Sequence, residues 1–439
     1  MLHGMSEGDP HSKPPCRRDD ALAIVQRLRA SGHIAYFAGG AVRDLLLGLE
    51  PKDYDVATDA RPERVRSLFA NTQAVGQAFG VILVRLGRSV VEVATFRSDG
   101  RYTDGRRPDT VQFSTAEEDA RRRDFTINGL FMDPLDGQVI DYVGGSADLA
   151  ARVVRAIGDP EARFEEDHLR LLRAVRFAAR FDFAIESSTQ QAVRRHAPEL
   201  ARISPERVGE ELRIILTPPM RVRAWRDLRQ TGLADVIFRF MPAFGTPGVP
   251  VVMRESHLFD ALLPEQGAPF GLALATATLD RVYSEEPDLD LRVLFQKGNA
   301  QKIARAFRQA LRISNEEWDQ VVGTLEGLAP LVADPTPGVA AMKRFLARPS
   351  AASSRALLAA VRGVLDQRRA TWVEARLAEL EQGEFAPPPL ITGDDLTAVG
   401  LAAGPKFKRV LEAVYDAQLE GRVRSKEEAM SLAIQFHKA

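Results

Sequence analysis

Two short segments, Gly39-Gly40-Ala41-Val42-Arg43-Asp44 and Asp53-Tyr54-Asp55, are the most informative about the architecture of the first part of the chain. Residues 34–38 before the first segment predict a short strand and residues 41–47 a helix, so the two glycines mark the turn between them. A glycine turn at a helix start presents backbone N–H groups and the positive end of the helix dipole, which together bind phosphate. Arg43, in the first turn of the helix, can add a charge-assisted contact to the same phosphates.

Asp53 and Asp55 alternate along the next predicted strand, so both carboxylates leave the same face. Two adjacent carboxylates repel each other unless a divalent cation lies between them. Glu92 is the one acid in the apolar run Val90-Val91-Glu92-Val93-Ala94-Thr95 and is expected on a neighbouring strand. A buried carboxylate needs a partner, either a metal ion or an arginine such as Arg97. Because of the aspartate pair we favour metal, and we predict that Asp53, Asp55 and Glu92 are catalytic ligands of two magnesium ions.

The segment Arg121-Arg122-Arg123-Asp124-Phe125-Thr126-Ile127-Asn128 combines side-chain types that suit a nucleotide. Guanidinium groups bind phosphates, and a carboxylate and an amide bind ribose hydroxyls. The alternative is a charged helix end whose arginines pair with Glu117, Glu118 and Asp119. Considered alone, the segment favours that alternative, and only the motifs around it favour the nucleotide.

A third charged segment, Glu166-Asp167-His168-Leu169-Arg170, falls in the single long helix predicted over residues 161–181. Asp167 and Arg170 are three residues apart and so share one helix face, which usually indicates a surface salt bridge. They could also recognise a base, because a carboxylate accepts from the exocyclic amine of C or A while a guanidinium donates to their ring acceptors. U and G carry a carbonyl in place of that amine and would be rejected. Three further arginines on this helix would contact phosphates: Arg173, Arg176 and Arg180.

Composition and charge limit the function classes. With 59 basic and 60 acidic residues the formal net charge is −1, which argues against a general polyanion binder but allows a local basic surface. No apolar run approaches the roughly 20 residues of a membrane helix, and residues 1–20 lack the apolar core of a signal peptide. The single cysteine, Cys16, excludes a disulfide framework and a cysteine-based metal site. We therefore predict a cytoplasmic protein that does not enter a membrane.

The order of elements predicts a small α/β part followed by a long helical part. Strands and helices alternate over residues 20–141. After Gly158 strand signals nearly vanish, and Asp159-Pro160 is a strong helix start. Residues 228–291 contain several prolines and glycines with weak periodicity and support no firm prediction. From residue 301 onward the pattern is helical again.

Taken together and in this order, the motifs resemble those of the class II CCA-adding enzymes and bacterial poly(A) polymerases. The resemblance rests on Gly-Gly-Ala-Val-Arg-Asp with Asp-Tyr-Asp, on Arg-Arg-Asp-Phe-Thr-Ile-Asn and on Glu-Glu-Asp-His-Leu-Arg. Ile203-Ser204-Pro205-Glu206-Arg207-Val208-Gly209-Glu210-Glu211-Leu212 resembles the last neck motif of the family. The similarity is dense over residues 35–216, and residues 390–420 resemble the C-terminal part of some bacterial members.

The resemblance implies an α+β fold, in which a polymerase-β-like nucleotidyltransferase head (a mixed sheet with helices) is followed by an all-α neck, body and tail. The expected divisions are a disordered N-terminal tail (1–19), a catalytic head (20–150), a neck for base recognition (151–217), a body (218–330) and a tRNA-binding tail (331–439).

The resemblance also implies roles for the matched residues. Asp53 and Asp55 would bind the catalytic metals, while Gly39, Gly40 and Arg43 would hold the triphosphate.

Ribose, phosphate and base would be recognised by the later motifs. Arg123, Asp124 and Asn128 would contact ribose and phosphate, and Asp167 with Arg170 would act as the protein template for ATP and CTP. The remaining nucleotide-binding, supporting and loop residues are Arg173 and Arg176, then Glu206 and Arg207 behind the template pair, then Asp104, Arg106 and Arg107 in a flexible specificity loop over residues 97–109.

The implied activity is template-independent addition of CCA to the 3′ end of tRNA from CTP and ATP, by two-metal-ion transfer with Mg²⁺ and release of pyrophosphate. One alternative is a poly(A) polymerase, but family members with that activity carry two basic residues where Gln77 and Ala78 stand here. Another is a partial enzyme that adds only A or only CC, and the full-length loop argues against CC alone. The sequence does not determine the oligomeric state.

Two other classes of protein fit the sequence less well. A catalytically silent RNA-binding protein would have no reason to keep Asp53, Asp55 and Glu92 close together. A nucleotidyltransferase that modifies proteins or small molecules is disfavoured by the long, arginine-bearing helical part.

Overall fold

The computed structural model describes residues 17–75, 80–100, 110–242, 244, 258–262, 267–286, 288–333, 335–399 and 405–438. The chain divides into two compact units. The first unit comprises Met1–Glu211 with Arg226–Ile237, and the second comprises Leu212–Trp225 with Phe238–Ala439.

The first part of the chain alternates strands with short helices and then becomes helical, as expected. In chain order its described elements are α1 (Arg18–Ala30), β1 (Ala35–Ala38), α2 (Gly40–Leu46), β2 (Asp55–Thr58), α3 (Pro62–Leu68), β3 (Thr72–Ala74), β4 (Val81–Leu86), β5 (Ser89–Thr95), β6 (Arg97–Asp99), β7 (Val111–Phe113), α4 (Ala116–Arg121), β8 (Phe131–Met132), β9 (Val139–Ile140), α5 (Gly145–Ala151), β10 (Val153–Val154), α6 (Pro160–Glu166), α7 (Arg170–Phe181), β11 (Ala184–Ile185), α8 (Ser187–His196), α9 (Pro205–Leu216), α10 (Arg221–Gln230) and α11 (Leu233–Phe238).

Seven of these strands form one mixed sheet in the order β3-β4-β5-β2-β1-β8-β9. Only β2 and β5 run parallel to each other; the other neighbours in this sheet are antiparallel. Apolar side chains from the central strands, among them Phe37, Val56, Ile82 and Val91, are fully buried and form its core. The prediction of a mixed-sheet head followed by helices is confirmed.

Strand pairing brings the first two sequence motifs together at one edge of the sheet. Ala38, the last residue of β1, lies opposite Asp55, the first residue of β2. The glycine turn that follows β1 is therefore next to Asp55. In the parallel pair Val56 lies opposite Val93, so Glu92 occupies the register position beside Asp55. One edge thus collects the glycines and two of the predicted acids.

Two local predictions are wrong. The strand begins at Asp55, so Asp53 precedes it and strand alternation does not fix its direction. The single helix expected over residues 161–181 is two helices, α6 and α7, because Asp167 takes an extended conformation (φ −146°, ψ 103°). The Asp167 carboxylate accepts from the backbone N–H of Leu169 at 3.1 Å. This local bond competes with the helix and interrupts it.

Helices are the only regular secondary structure among the described residues of the second unit. Its further helices are α12 (Phe270–Glu285), α13 (Lys297–Leu311), α14 (Asn315–Val332), α15 (Val339–Leu346), α16 (Ala351–Val361), α17 (Gln367–Glu381), α18 (Gly393–Ala398), α19 (Pro405–Leu419) and α20 (Lys426–Lys438). Most residues of α12 are buried. A helix that is buried on nearly all sides carries little amphipathic pattern, which agrees with the weak periodicity of residues 228–291. None of the helices in the described ranges is long and apolar enough to span a bilayer.

Candidate active site

An open cleft of about 580 Å³ lies in the first unit and collects most of the predicted site residues. It is lined by the glycine turn, the start of β2, the segment after α4, and one face of α7. The predicted site residues that line it are Gly39, Gly40, Arg43, Asp55, Arg123, Asp124, Asn128, Asp167, Arg170, Arg173, Arg176 and Arg207. Asp53, Glu92 and Glu206 do not line it.

The lining is strongly basic. Eight arginines face three aspartates in the wall of the cleft, although the whole chain is nearly neutral. A concave surface of this sign attracts polyanions such as nucleoside triphosphates and RNA ends. A local basic surface, which the near-neutral net charge allowed, is therefore present.

Gly39 makes the turn possible for two reasons. Its φ of 64° lies in the left-handed region, which side chains rarely adopt. A Cβ at this position would also lie 2.6 Å from Nη1 of Arg123. The Arg123 guanidinium is held there by the Asp119 carboxylate at 3.0 Å and by the carbonyl oxygen of Asn128 at 3.2 Å. The glycine therefore allows a guanidinium to pack directly against the start of α2.

Asp124 and Asn128 form a buried polar group beside this turn, and each is 7% exposed. Nδ2 of Asn128 donates to Oδ1 of Asp124 at 3.0 Å, and Nε of Arg173 donates to Oδ2 at 2.7 Å. Burial alone would raise the pKa of Asp124, but Arg173 and the Asn128 amide outweigh it and lower the pKa to about 2. Asp124 is thus a fixed anion with oriented neighbours, which is the state required to accept from a hydroxyl.

Arg43 is less accessible to a phosphate than the sequence predicted. Its side chain is buried at 4% exposure. Nε and Nη2 donate to Oδ1 of Asp44 at 2.8 and 2.6 Å, and Nη1 donates to Oδ1 of Asn128 at 2.5 Å. The rings of Phe177 and Phe181 lie 5.2 and 4.6 Å from the guanidinium carbon. The guanidinium is therefore engaged within the protein.

Asp167 and Arg170 both reach the cleft, but each is held by a separate partner. Nη2 of Arg207 donates to both oxygens of Asp167 at 3.2 Å. Nη1 of Arg170 donates to Oε2 of Glu166 at 2.5 Å. The shared helix face proposed from the sequence does not exist, because the helix is interrupted between the two residues. Arg207 thus contacts Asp167 directly, and its supporting role stays a prediction.

Two further arginines of α7 are paired with acids that the sequence analysis did not assign to the site. Arg176 contacts Glu211 at 2.9 Å, and Arg180 contacts Asp44 at 3.1 Å. Burial raises the pKa of Glu211, against the lowering effect of Arg176. Asp44 follows directly on Arg43, and Glu211 lies in the last neck motif. Both signals were visible in the sequence, but nothing local showed which arginine each acid would meet.

The three predicted metal ligands have donor chemistry suited to a hard cation. Asp53 and Asp55 are exposed, Asp55 lines the cleft, and Glu92 is half-buried at the neighbouring register position. Within the described ranges, no three His, Cys, Asp or Glu side chains form a group able to hold a metal ion by themselves. Magnesium commonly binds through one or two carboxylates with substrate phosphates and water. The residues fit such a shared site rather than a complete protein cage.

Several earlier predictions fall outside the described residues. These are the flexible-loop residues Asp104, Arg106 and Arg107, and the pair Gln77 and Ala78. Glu206 is described and exposed. Its supporting role stays a prediction.

Comparison with known proteins places this architecture in a family. The "Poly A polymerase head domain" model matches residues 35–155, and the "Probable RNA and SrmB- binding site of polymerase A" model matches residues 182–244. A CCA-adding enzyme of Geobacillus stearothermophilus is 35% identical over 426 residues, covering 95% of this chain and 96% of the relative. The chain belongs to the CCA-adding enzyme family.

Two further comparisons agree with this membership. The poly(A) polymerase I of Haemophilus influenzae is 40% identical over 240 residues, covering 52% of this chain and 53% of that protein. The crystal structure of the Bacillus stearothermophilus CCA-adding enzyme in complex with CTP matches with a TM-score of 0.69 and 30% identity, covering 96% of this chain and 98% of that one. This member of the CCA-adding enzyme family is thus a nucleotidyltransferase, and the resemblance inferred from the motifs is confirmed.

Proposed function

We propose that this chain rebuilds the CCA end of tRNA, adding C and A from CTP and ATP to the 3′ hydroxyl with release of pyrophosphate. The observation that carries the proposal is the cleft itself. It joins a glycine turn, a fixed anion with an oriented amide, and eight arginines in one concave wall. CCA addition is favoured over polyadenylation because three CCA-adding relatives align along almost the whole chain. The poly(A) polymerase, like two other CCA-adding relatives, aligns along about half.

The nucleotide would lie across the mouth of this cleft. The N–H groups at Gly39 and Gly40 and the positive end of α2 would receive the triphosphate, together with Arg123. Asp124 would accept from a ribose hydroxyl, since its pKa of about 2 keeps it ionised at neutral pH. The neighbouring Asn128 amide would provide the complementary polar contact.

Base selection would fall to Asp167 and Arg170. The Asp167 carboxylate would accept from the exocyclic amine of C or A, and Arg170 would donate to a ring acceptor of the same base. Arg207 and Glu166 hold these two groups at 3.2 and 2.5 Å. Because the pair is fixed from behind, U and G would place a carbonyl against a carboxylate that cannot turn away, and this contact is repulsive.

Magnesium would be held by Asp53 and Asp55, with Glu92 beside them and with substrate phosphates completing the coordination. When bound, it would lower the pKa of the attacking hydroxyl and neutralise charge on the leaving pyrophosphate. The chain itself would align the triphosphate with the metal site. The basic wall would hold the triphosphate, and Asp55 lines the same cleft.

The domain roles extend the proposal along the chain. We assign catalysis to the head (20–150), base recognition to the neck (151–217) and tRNA binding to the tail (331–439), with the helical body (218–330) between neck and tail. In the tail, Trp372 on α17 is 49% exposed. Arg368 and Arg376 lie one turn away on either side, on the same helix face. An exposed indole between arginines suits stacking on an RNA base. A cytoplasmic location follows from the proposed substrate.

Primer extension tests the proposal. Purified protein and magnesium are incubated with tRNAs that end before CCA, after C and after CC, with CTP and ATP supplied singly and together. Completion of all three to CCA, followed by a stop, is the expected result. Addition of A only to the CC-ending tRNA would indicate a partial enzyme. Long A tails on any RNA would instead establish polyadenylation.

A further inference from the structure

We infer that the exposed face of β3 and β4 receives the 3′ end of the RNA, and that Arg85 binds the last phosphate of that end. The inference rests on the proposed function and adds a second binding surface, because no residue of these two described strands lines the nucleotide cleft. It concerns the attacking RNA rather than the nucleoside triphosphate.

Strand pairing places this surface on the same face of the sheet as two of the predicted metal ligands. The side chains of directly opposed residues leave a sheet on one face. Glu92, which is beside Asp55 in register, lies opposite Leu83 on β4. Leu83 in turn lies opposite Gln73 on β3. Arg85 follows Leu83 by two residues, so it shares this face and lies about 7 Å further along the strand.

The two outer strands expose polar side chains on this face. Along β4, Ile82 and Val84 are fully buried on the other face, whereas Arg85 is exposed. Gln73 on β3 is exposed as well. Residues 71–91 contain two arginines and no acidic residue. The surface therefore combines positive charge with an amide, which suits the backbone of a nucleic acid.

The order of the strands determines which reactant this surface faces. The glycine turn follows β1 and Asn128 lies shortly before β8, so the nucleotide cleft is on the β1 side of Asp55. Strands β5, β4 and β3 lie on the opposite side of β2. In phosphoryl transfer the attacking and leaving oxygens are roughly in line through the phosphorus. A triphosphate held at the glycine turn therefore requires the RNA hydroxyl to enter from the side of β5 and β4.

Arg85 is well placed for the phosphate of the entering end. Only the ribose separates the 5′ phosphate of the terminal nucleotide from its 3′ hydroxyl, so this phosphate stays within one sugar's length of the metal site. A guanidinium makes a forked contact with such a phosphate. Gln73, one strand further out, can hydrogen-bond the preceding nucleotide. A phosphate contact positions RNA without reading its sequence, as is required of a surface that serves three successive ends of a growing CCA.

Salt-dependent binding tests the inference. Dissociation constants are measured in magnesium, over a series of KCl concentrations, for a synthetic acceptor-stem hairpin that ends in CC. Arg85→Gln should weaken binding about 5-fold, as expected for one exposed ionic contact. The slope of log Kd against log KCl concentration should fall by about 0.7, the value for one phosphate contact with a single strand. Arg85→Lys keeps the charge and should keep the slope.

Arg64→Gln is the matched control, because Arg64 is an exposed arginine of the same unit that lies on α3, outside the sheet. It should leave the dissociation constant and the slope unchanged. Gln73→Arg adds a second guanidinium to the same face, so it should tighten binding about 3-fold. An unchanged slope in Arg85→Gln would overturn the inference.

A chemically modified RNA locates the contact. A methylphosphonate at the last linkage of the hairpin removes the charge that Arg85 would bind. It should weaken binding to the wild type about 5-fold and have little further effect in Arg85→Gln, because both changes remove the same contact. The same modification in the loop of the hairpin is the control. Additive losses at the last linkage would show that Arg85 contacts another part of the RNA and would overturn the inference.

The proposed function can fail separately. A wild type that does not extend tRNA but shows the coupling between Arg85 and the last linkage would refute CCA addition and leave the RNA surface intact. A wild type that completes CCA, while Arg85→Gln binds with an unchanged slope, would refute the RNA surface alone.

Discussion

The cleft of the first compact unit and the core of the second are held together by different kinds of interaction. The cleft of the first unit is organised by directional bonds. Seven arginines of its wall each contact a carboxylate at 2.5 to 3.2 Å: Arg43, Arg123, Arg170, Arg173, Arg176, Arg180 and Arg207. The described core of the second unit is organised by apolar contact, as in α12, where most residues are buried. Apolar packing tolerates changes that conserve volume, whereas a buried ion pair does not tolerate the loss of one partner. The first unit should therefore be sensitive to single-atom changes that the second would accept.

The largest effect is expected at the predicted metal ligands. Asp53→Ala or Asp55→Ala should lower the rate of nucleotide transfer by about 1,000-fold or more, because a carboxylate that neutralises the metal is lost. Binding of tRNA should be nearly unchanged, as measured by filter retention. Glu63→Ala removes an exposed acid of the same unit and should transfer normally. A comparable rate in both aspartate variants would refute the metal role.

The glycine turn gives a sharper test because the chain contains a matched glycine. Gly39→Ala and Gly48→Ala both place a side chain at positive φ, 64° and 70°, so both should cost roughly 1 kcal/mol of stability. Only at Gly39 would the new Cβ meet Arg123, at 2.6 Å; at Gly48 nothing lies within 4 Å. Transfer should fall about 100-fold in the first variant alone. Equal activity of the two variants would show that the packing of Arg123 does not matter.

The fixed charge of Asp124 predicts a pH dependence of stability. Its pKa is lowered from 3.8 to about 2, which corresponds to roughly 2 to 3 kcal/mol, or about 60-fold in the unfolding constant. A carboxylate whose pKa is lowered by folding stabilises the fold at pH values above its pKa in the unfolded chain. This stabilisation is lost as the pH falls through its pKa in the folded protein. Asp124→Asn should therefore unfold at lower urea than the wild type at pH 7, and the gap should close between pH 4 and pH 2. A gap that stays constant down to pH 3 would contradict this assignment.

The contact of Arg207 with Asp167 should affect which nucleotides the enzyme adds. Arg207→Ala frees Asp167 and should lower discrimination of CTP and ATP against UTP and GTP by about 10-fold, measured as relative incorporation into tRNA ending before CCA. Arg202→Ala is the control, because Arg202 lies nearby in sequence but is 73% exposed and pairs with Glu199. Unchanged selectivity in Arg207→Ala would separate Asp167 from base recognition.

The smallest effect is expected in the helical unit. Trp372→Ala should raise the KM for tRNA about 5-fold with kcat and stability unchanged, because an exposed ring contributes stacking rather than packing. Phe436→Ala, another exposed aromatic of that unit at 41%, serves as the control. A loss of stability in the tryptophan variant would indicate that the side chain is a packing residue.

Much of the site could be predicted because its motifs are local. A strand, two glycines and a helix specify a phosphate-binding turn within a few residues, and β1 and β2 then bring Asp55 beside it by ordinary pairing. The wrong prediction of a single helix over residues 161–181 also has a local cause. The sequence period of residues 161–181 is helical on both sides of Asp167, but Asp167 is extended and its side chain accepts from the backbone of Leu169. The pairing of Asp167 with Arg170 was inferred from that uninterrupted helix and failed with it.

The order of elements, the family, and the side chains that supply charge and hydrogen bonds could all be read from the sequence, because these depend on residue type and short spacing. The pairing of particular charges required the folded structure. Arg43 and Asn128 are 85 residues apart, and Arg180 and Asp44 are 136 apart. Hydrogen bonds and buried ion pairs depend on distance and direction at the ångström scale. Those quantities are set only when the sheet edge and α7 pack against each other.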